Sequence, residues 1–176
     1  MEAKELVSRI IKRYKEFDWD MSESSMAEWT NRTLTEIFGV IGRDLGFEIE
    51  PESDSKEFIY DQVWVKKILG TSNKIIVGAI ESENSIKSGR GFDLVFDDEF
   101  TKLLAFNGKY RILIYYCKWD KVEDDFNRFN EYFQEYSFIQ DNNSLIIITC
   151  DDALDKWKIG LFQKGKEVDT EEFSVV

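Results

Sequence analysis

The chain has 176 residues, 43% hydrophobic and 33% charged, with a formal net charge of −12. That length predicts one domain over residues 1–176 with a sizeable core, and no apolar run approaches the roughly 20 residues of a membrane helix. Histidine is absent, which excludes His-based acid–base catalysis, Ser-His-Asp and Cys-His pairs, and His-ligated zinc.

The N-terminus, Met1-Glu2-Ala3-Lys4-Glu5, has neither the charge pattern nor the apolar stretch of a secretion signal, so a cytoplasmic protein is expected. Residues 2–17 read as an amphipathic helix, with Leu6, Ile10, Tyr14 and Phe17 at helical spacing. Asp18-Trp19-Asp20-Met21-Ser22 begins like a calcium loop but lacks its glycine and final glutamate. Ser25-x-x-Glu28 is a capping box that opens a second helix running to Leu45, with Gly46 as its C-terminal cap. Leu34, Ile37, Phe38, Ile41 and Leu45 form the predicted buried stripe of that helix. Phe47 to Glu50 alternates as a short strand, ended by Pro51.

Two strands are predicted next, over 57–67 and 74–84, joined by a Gly70-Thr71-Ser72-Asn73 turn. A polar loop over 85–91 leads to a helix over 92–107, whose stripe is Phe96, Phe100, Leu103 and Leu104, with Lys102 off that face. Arg111 to Trp119 is apolar on both faces, as in a strand covered by helices on both sides of a parallel arrangement. A helix over 121–137, a buried strand over Leu145 to Cys150 and edge strands in the β-rich tail complete the chain. Cys117 and Cys150 fall in apolar strand-like runs and are expected to be buried free thiols.

The stretch Lys74-Ile75-Ile76-Val77-Gly78-Ala79-Ile80-Glu81-Ser82-Glu83-Asn84 carries the chemistry. Strand alternation puts Ile75, Val77, Ala79, Glu81 and Glu83 on one face. Carboxylates at the end of a buried strand need compensation, and a divalent cation such as Mg²⁺ or Mn²⁺, which prefers hard oxygen ligands, is the simplest. Asp61 shares a face with Ile59, Val63 and Val65 on the preceding strand, and an antiparallel return would bring it near Glu81. Taken singly, each acid also fits a solvent-facing strand end, with Asp61 paired to Lys66.

With an Asp on the second strand and an acidic pair on the third, the order helix–strand–strand–strand–helix–strand resembles the PD-(D/E)XK nuclease superfamily. The resemblance covers about residues 25–150 and implies an α/β, restriction endonuclease-like fold. That fold is a mixed sheet flanked by helices (an αβββαβ core), here with an extra N-terminal helix and a β-rich C-terminal tail. Asp61 matches the first acid of the pattern and Glu81-Ser82-Glu83 its (Asp/Glu)-x-Lys element, with Glu83 where the lysine usually stands. The implied catalytic residues are Asp61, Glu81 and Glu83, with Asp61, Glu81 and the Ile80 carbonyl holding Mg²⁺ or Mn²⁺. Lys102 is a candidate for a migrated lysine. Glu28 and Glu36 are candidates for an accessory acid, although Glu28 is also explained by capping and Glu36 points away from the buried stripe.

The resemblance implies a metal-dependent nuclease acting on nucleic acid, DNA before RNA, with a homodimer as an option because cutting a duplex takes two sites. Lys66, Lys67, Lys87 and Arg90 are the candidate phosphate contacts. The acidity of the chain speaks against a nucleic-acid partner. It is concentrated at the end: residues 1–119 hold 21 acids and 17 bases, residues 120–176 hold 14 and 6. That excess keeps two other readings open, a nuclease-fold domain serving as an acidic interaction or regulatory module, and a DNA-mimicking inhibitor.

Overall fold

A computed structural model describes residues 1–19, 26–50, 60–83, 95–136, 143–151 and 155–175. Helix α1 (Ala3–Glu16) buries Leu6, Ile10 and Tyr14, one per turn, with Ala3 and Ile11 beside them. The second helical rod has three parts: α2 (Met26–Arg32), a π-helical segment (Thr33–Gly39) and α3 (Val40–Asp44). The π segment, with its wider i→i+5 turn, shifts the phase of the rod. Trp29 and Thr33 are therefore buried along with Ile37, Phe38 and Ile41, while Leu34 and Leu45 of the expected stripe are only half-buried. Gly46, at φ 79°, ends the rod as expected. The Phe47 amide bonds to the Gly42 carbonyl at 2.9 Å and the Gly46 amide to Arg43 at 2.8 Å, the paired bonds of a Schellman cap. The capping Ser25 lies outside the described residues.

Among the described residues, seven strands form one sheet in chain order. They are β1 (Glu48–Glu50), β2 (Gln62–Lys67), β3 (Lys74–Glu83), β4 (Tyr110–Tyr116), β5 (Ser144–Cys150), β6 (Lys156–Gln163) and β7 (Asp169–Ser174). β1, β2 and β3 are antiparallel, β3, β4 and β5 parallel, and β5, β6 and β7 antiparallel again. The fold is thus α/β with a mixed sheet, as the sequence predicts. β4 and β5 are buried along their whole length because helices cover both faces. On one face α1 and the second rod enclose Trp64, Ile80, Ile112, Ile146 and Trp157. On the other, a π segment (Val95–Phe100), α4 (Thr101–Ala105) and α5 (Val122–Glu135) cover Ala79, Leu113, Tyr115 and Ile147.

The tail differs from expectation in one respect. β6 is interior, between β5 and β7, and of these tail strands β7 is the one at an edge. Both cysteines are buried thiols, not a disulfide. No helix among the described residues is long and apolar enough to cross a membrane.

One irregularity corrects the strand reading. Trp64 pairs with Gly78 and Val65 with Ile76, so β3 carries an extra residue, Val77. Val77 consequently packs on the first face with Trp64, while Ala79 stays on the second. The expected single face from Ile75 to Glu83 therefore holds only from Ala79 onward. Gly78 suits the bulge, because a Cβ there would meet the Trp64 ring at 3.0 Å.

Candidate functional site

Gln62 pairs with Ile80, so Asp61, just before β2, stands beside Glu81. The Ser82 amide donates to Asp61 Oδ2 at 2.8 Å and fixes that proximity. Ile80, whose carbonyl is a candidate ligand, is in register with Gln62 and Ile112 inside the sheet. Glu81 is in register with Leu113 on the face covered by α4, and only 1% of it is exposed. Glu83 is half-buried, in register with Tyr115 one step further along that face.

Lys102 comes from α4 to meet Glu81. Its Nζ is 3.1 Å from Glu81 Oε1 and 2.5 Å from Glu99 Oε2. Both contacts set one ammonium against carboxyl oxygens at the covered face of the sheet. Two contacts hold α4 in place. Tyr60, one residue before Asp61, donates its hydroxyl to the Lys102 carbonyl at 3.2 Å. The buried Arg111 of β4 donates to the carbonyls of Leu103 at 2.8 Å and Gly108 at 3.3 Å, and to Phe106. These carbonyls close the helix and the turn after it, where a guanidinium satisfies otherwise orphaned acceptors.

The electrostatics follow from crowding. Burial, then the Glu99 carboxyl and the Asp61 charge, push Glu81 up to about 9 against the pull of Lys102. Asp61 keeps solvent access, yet burial by its surroundings still raises its carboxyl, with the Ser82 amide opposing. Burial alone would lower Lys102, but Glu99 and Glu81 hold its ammonium above the ordinary lysine value.

Asp61, Glu81 and Lys102 are thus brought together, and Glu99 joins them. Glu99 is not among the candidates that the sequence offers. The signal was there, since Glu99 and Lys102 are three apart on one helix and face the same way. The predicted stripe set that face outside the core. Glu28 and Glu36 are exposed on the rod that packs the opposite face of the sheet, away from Glu81 and Lys102. Lys66 and Lys67 pair with Ile75 and Lys74 at the far end of the hairpin, roughly 16 Å from Asp61 at about 3.3 Å per residue. Lys67 is ion-paired with Glu48. They do not share the rim of the site. Lys87 and Arg90 lie outside the described residues.

Among the described residues, no three acidic or thiol side chains stand at the spacing that would cage a metal ion. In kind, the hard oxygens of Asp61 and Glu81 fit Mg²⁺ or Mn²⁺. The chain matches no family model and no curated protein.

Proposed function

We propose that Asp61, Glu81 and Lys102 form a phosphodiester-hydrolysing site of the PD-(D/E)XK kind, with the lysine delivered by a helix instead of by the strand. The observation that carries this reading is the 3.1 Å approach of Lys102 to Glu81, beside an Asp61 locked to the Ser82 amide. Two acids and a lysine, which the linear Glu81-Ser82-Glu83 motif lacks, meet in space. The strand order, with three antiparallel strands and a fourth parallel to the third across a helix, supports the same reading.

Asp61 and Glu81 would hold Mg²⁺ or Mn²⁺. When bound, such an ion stabilises charge on the phosphate and lowers the pKa of water. Lys102 Nζ donates to a phosphate oxygen or orients the attacking water, and Tyr60 and Arg111 keep its helix in place for that task. Glu99 shares the Lys102 ammonium and limits the directions in which it can turn.

One observation favours a second reading. Lys102 already contacts both Glu81 and Glu99, and the chain carries a net charge of −12. A nuclease-derived fold with a plugged site would serve as an acidic interaction module. Calorimetric titration of Mg²⁺ and Mn²⁺, with Glu81→Ala/Glu83→Ala alongside, separates the two when joined to cleavage assays on duplex DNA, single-stranded DNA and RNA. The hydrolase reading expects saturable binding that the double variant loses. It also expects cleavage that Lys102→Ala lowers by roughly 10²–10⁴-fold. Binding unchanged in the double variant, or no cleavage of any substrate, leaves the interaction module.

A further inference from the structure

We propose that the outer edge of β7 is a docking strand for an extended, basic peptide segment of a partner protein. The proposal is independent of the hydrolase reading. It concerns the other end of the sheet.

The sheet order ends at β7, and no described residue pairs with its outer side. Such an edge offers a row of unpaired amides and carbonyls, a template for a further strand. β7 has six residues, whereas the opposite edge, β1, has three. Edge strands that are not meant to pair are commonly kept short, covered or lined with charge, and the charge along β7 is acidic throughout, which deters every strand but a basic one. Asp169, Thr170, Glu171 and Glu172 are all exposed.

Side-chain placement adds specificity to the backbone template. Asp169, Glu171 and Phe173 pair with Leu161, Ile159 and Trp157 and face α1. There a groove of about 130 Å³ runs between α1 and the start of β7, with Val7, Ser8 and Leu161 among its lining and Asp169 and Glu171 along its side. Lys4 also lines it and makes a 2.7 Å ion pair with Asp169. An added strand would send every second side chain toward this groove. On the other face Glu172 and Glu123 share one cation, the buried Lys158, which leaves that side acidic as well.

Charge selects the occupant. Two β7 edges paired together would set the acids of both copies against each other, and like charges directly opposite are destabilising, so a second copy of this chain is a poor partner. A strand with Lys or Arg at alternate positions and aliphatic residues between them matches both the acids and the groove.

The probe is an acetylated, amidated seven-residue peptide of alternating Lys and Val, followed by fluorescence anisotropy and by amide hydrogen exchange of the full chain. A Lys-Pro repeat of equal charge controls for attraction without strand pairing, because proline lacks the N–H. Saturable binding of the Lys-Val peptide is expected. It should weaken at least tenfold for the Lys-Pro peptide and for the exposed, fold-neutral Glu171→Lys variant, and β7 amides should become slower to exchange in the complex. Equal binding of the two peptides, unaltered binding by Glu171→Lys, or unprotected β7 amides would each overturn the proposal.

Discussion

Glu81 holds its proton at neutral pH because burial and two neighbouring acids outweigh the Lys102 ammonium. Two expectations follow from that one carboxyl. Glu81→Gln keeps the shape and removes only a charge that is mostly absent at pH 7. In the unfolded chain, by contrast, Glu81 is ionised at pH 7 and a glutamine cannot be, so the variant should be more stable than the parent at that pH, while cation binding collapses. A chemical-denaturation curve beside a Mg²⁺ titration reads both effects. The second expectation concerns pH. A cation that uses Glu81 must displace its proton, so affinity rises with pH up to about 9. Mn²⁺ titrations at two pH values below that point should show tighter binding at the higher one, by up to roughly tenfold per pH unit. A flat profile would remove Glu81 from the ligand set.

At the scale of elements, Gly42 tests packing against helix propensity. It lies in α3, where replacing glycine by alanine favours an exposed helix by about 0.8–1.0 kcal/mol. Here a Cβ would lie 2.5 Å from Ile49 Cδ1 and 2.7 Å from Trp64 Nε1. Ile49 can yield at its flexible end, but the Trp64 indole is fully buried and has nowhere to move. Overpacking costs about 1–3 kcal/mol, so Gly42→Ala should lower the melting temperature. A rise would show that the rod stands off the sheet. The same elements show what sequence reading reaches. The order of helices and strands, the doubly buried β4 and the pairing of Asp61 with Glu81 are legible because hydrophobic period and hairpin arithmetic determine them. Val77 misleads because a bulge adds one residue without a compositional mark. Leu34 misleads because the π segment advances the phase of the rod. Glu99 is missed because its partner across the layers, Glu81, is remote in sequence, and only the packing of α4 on β3 joins them.

At the scale of the whole molecule, the titration of buried acids sets how stability varies with pH. Burial raises the carboxyls of Asp61, Glu81 and Asp125, the last to about 6 beside the Tyr115 hydroxyl. A raised acid binds its proton more tightly folded than unfolded, so unfolding releases protons and stability falls as pH rises between the two pKa values. For Asp125 the loss runs from about 4 to 6, and for Glu81 from the ordinary glutamate value to about 9. Glu48, lowered by Lys67 and Lys74, pulls the other way, but it is a surface group in a screened setting. The net charge of −12 adds self-repulsion with the same sign as the buried acids. The chain should therefore melt at a higher temperature near pH 5 than near pH 8. Added salt should narrow the difference by screening the surface part while leaving the buried part. Asp125→Asn should flatten the profile between pH 4 and 6, and Glu81→Gln the part above it. Melting curves across that range, at low and high salt, separate the two sources. A difference that vanishes entirely in high salt would assign the whole effect to surface charge and leave the raised carboxyls without influence on the fold.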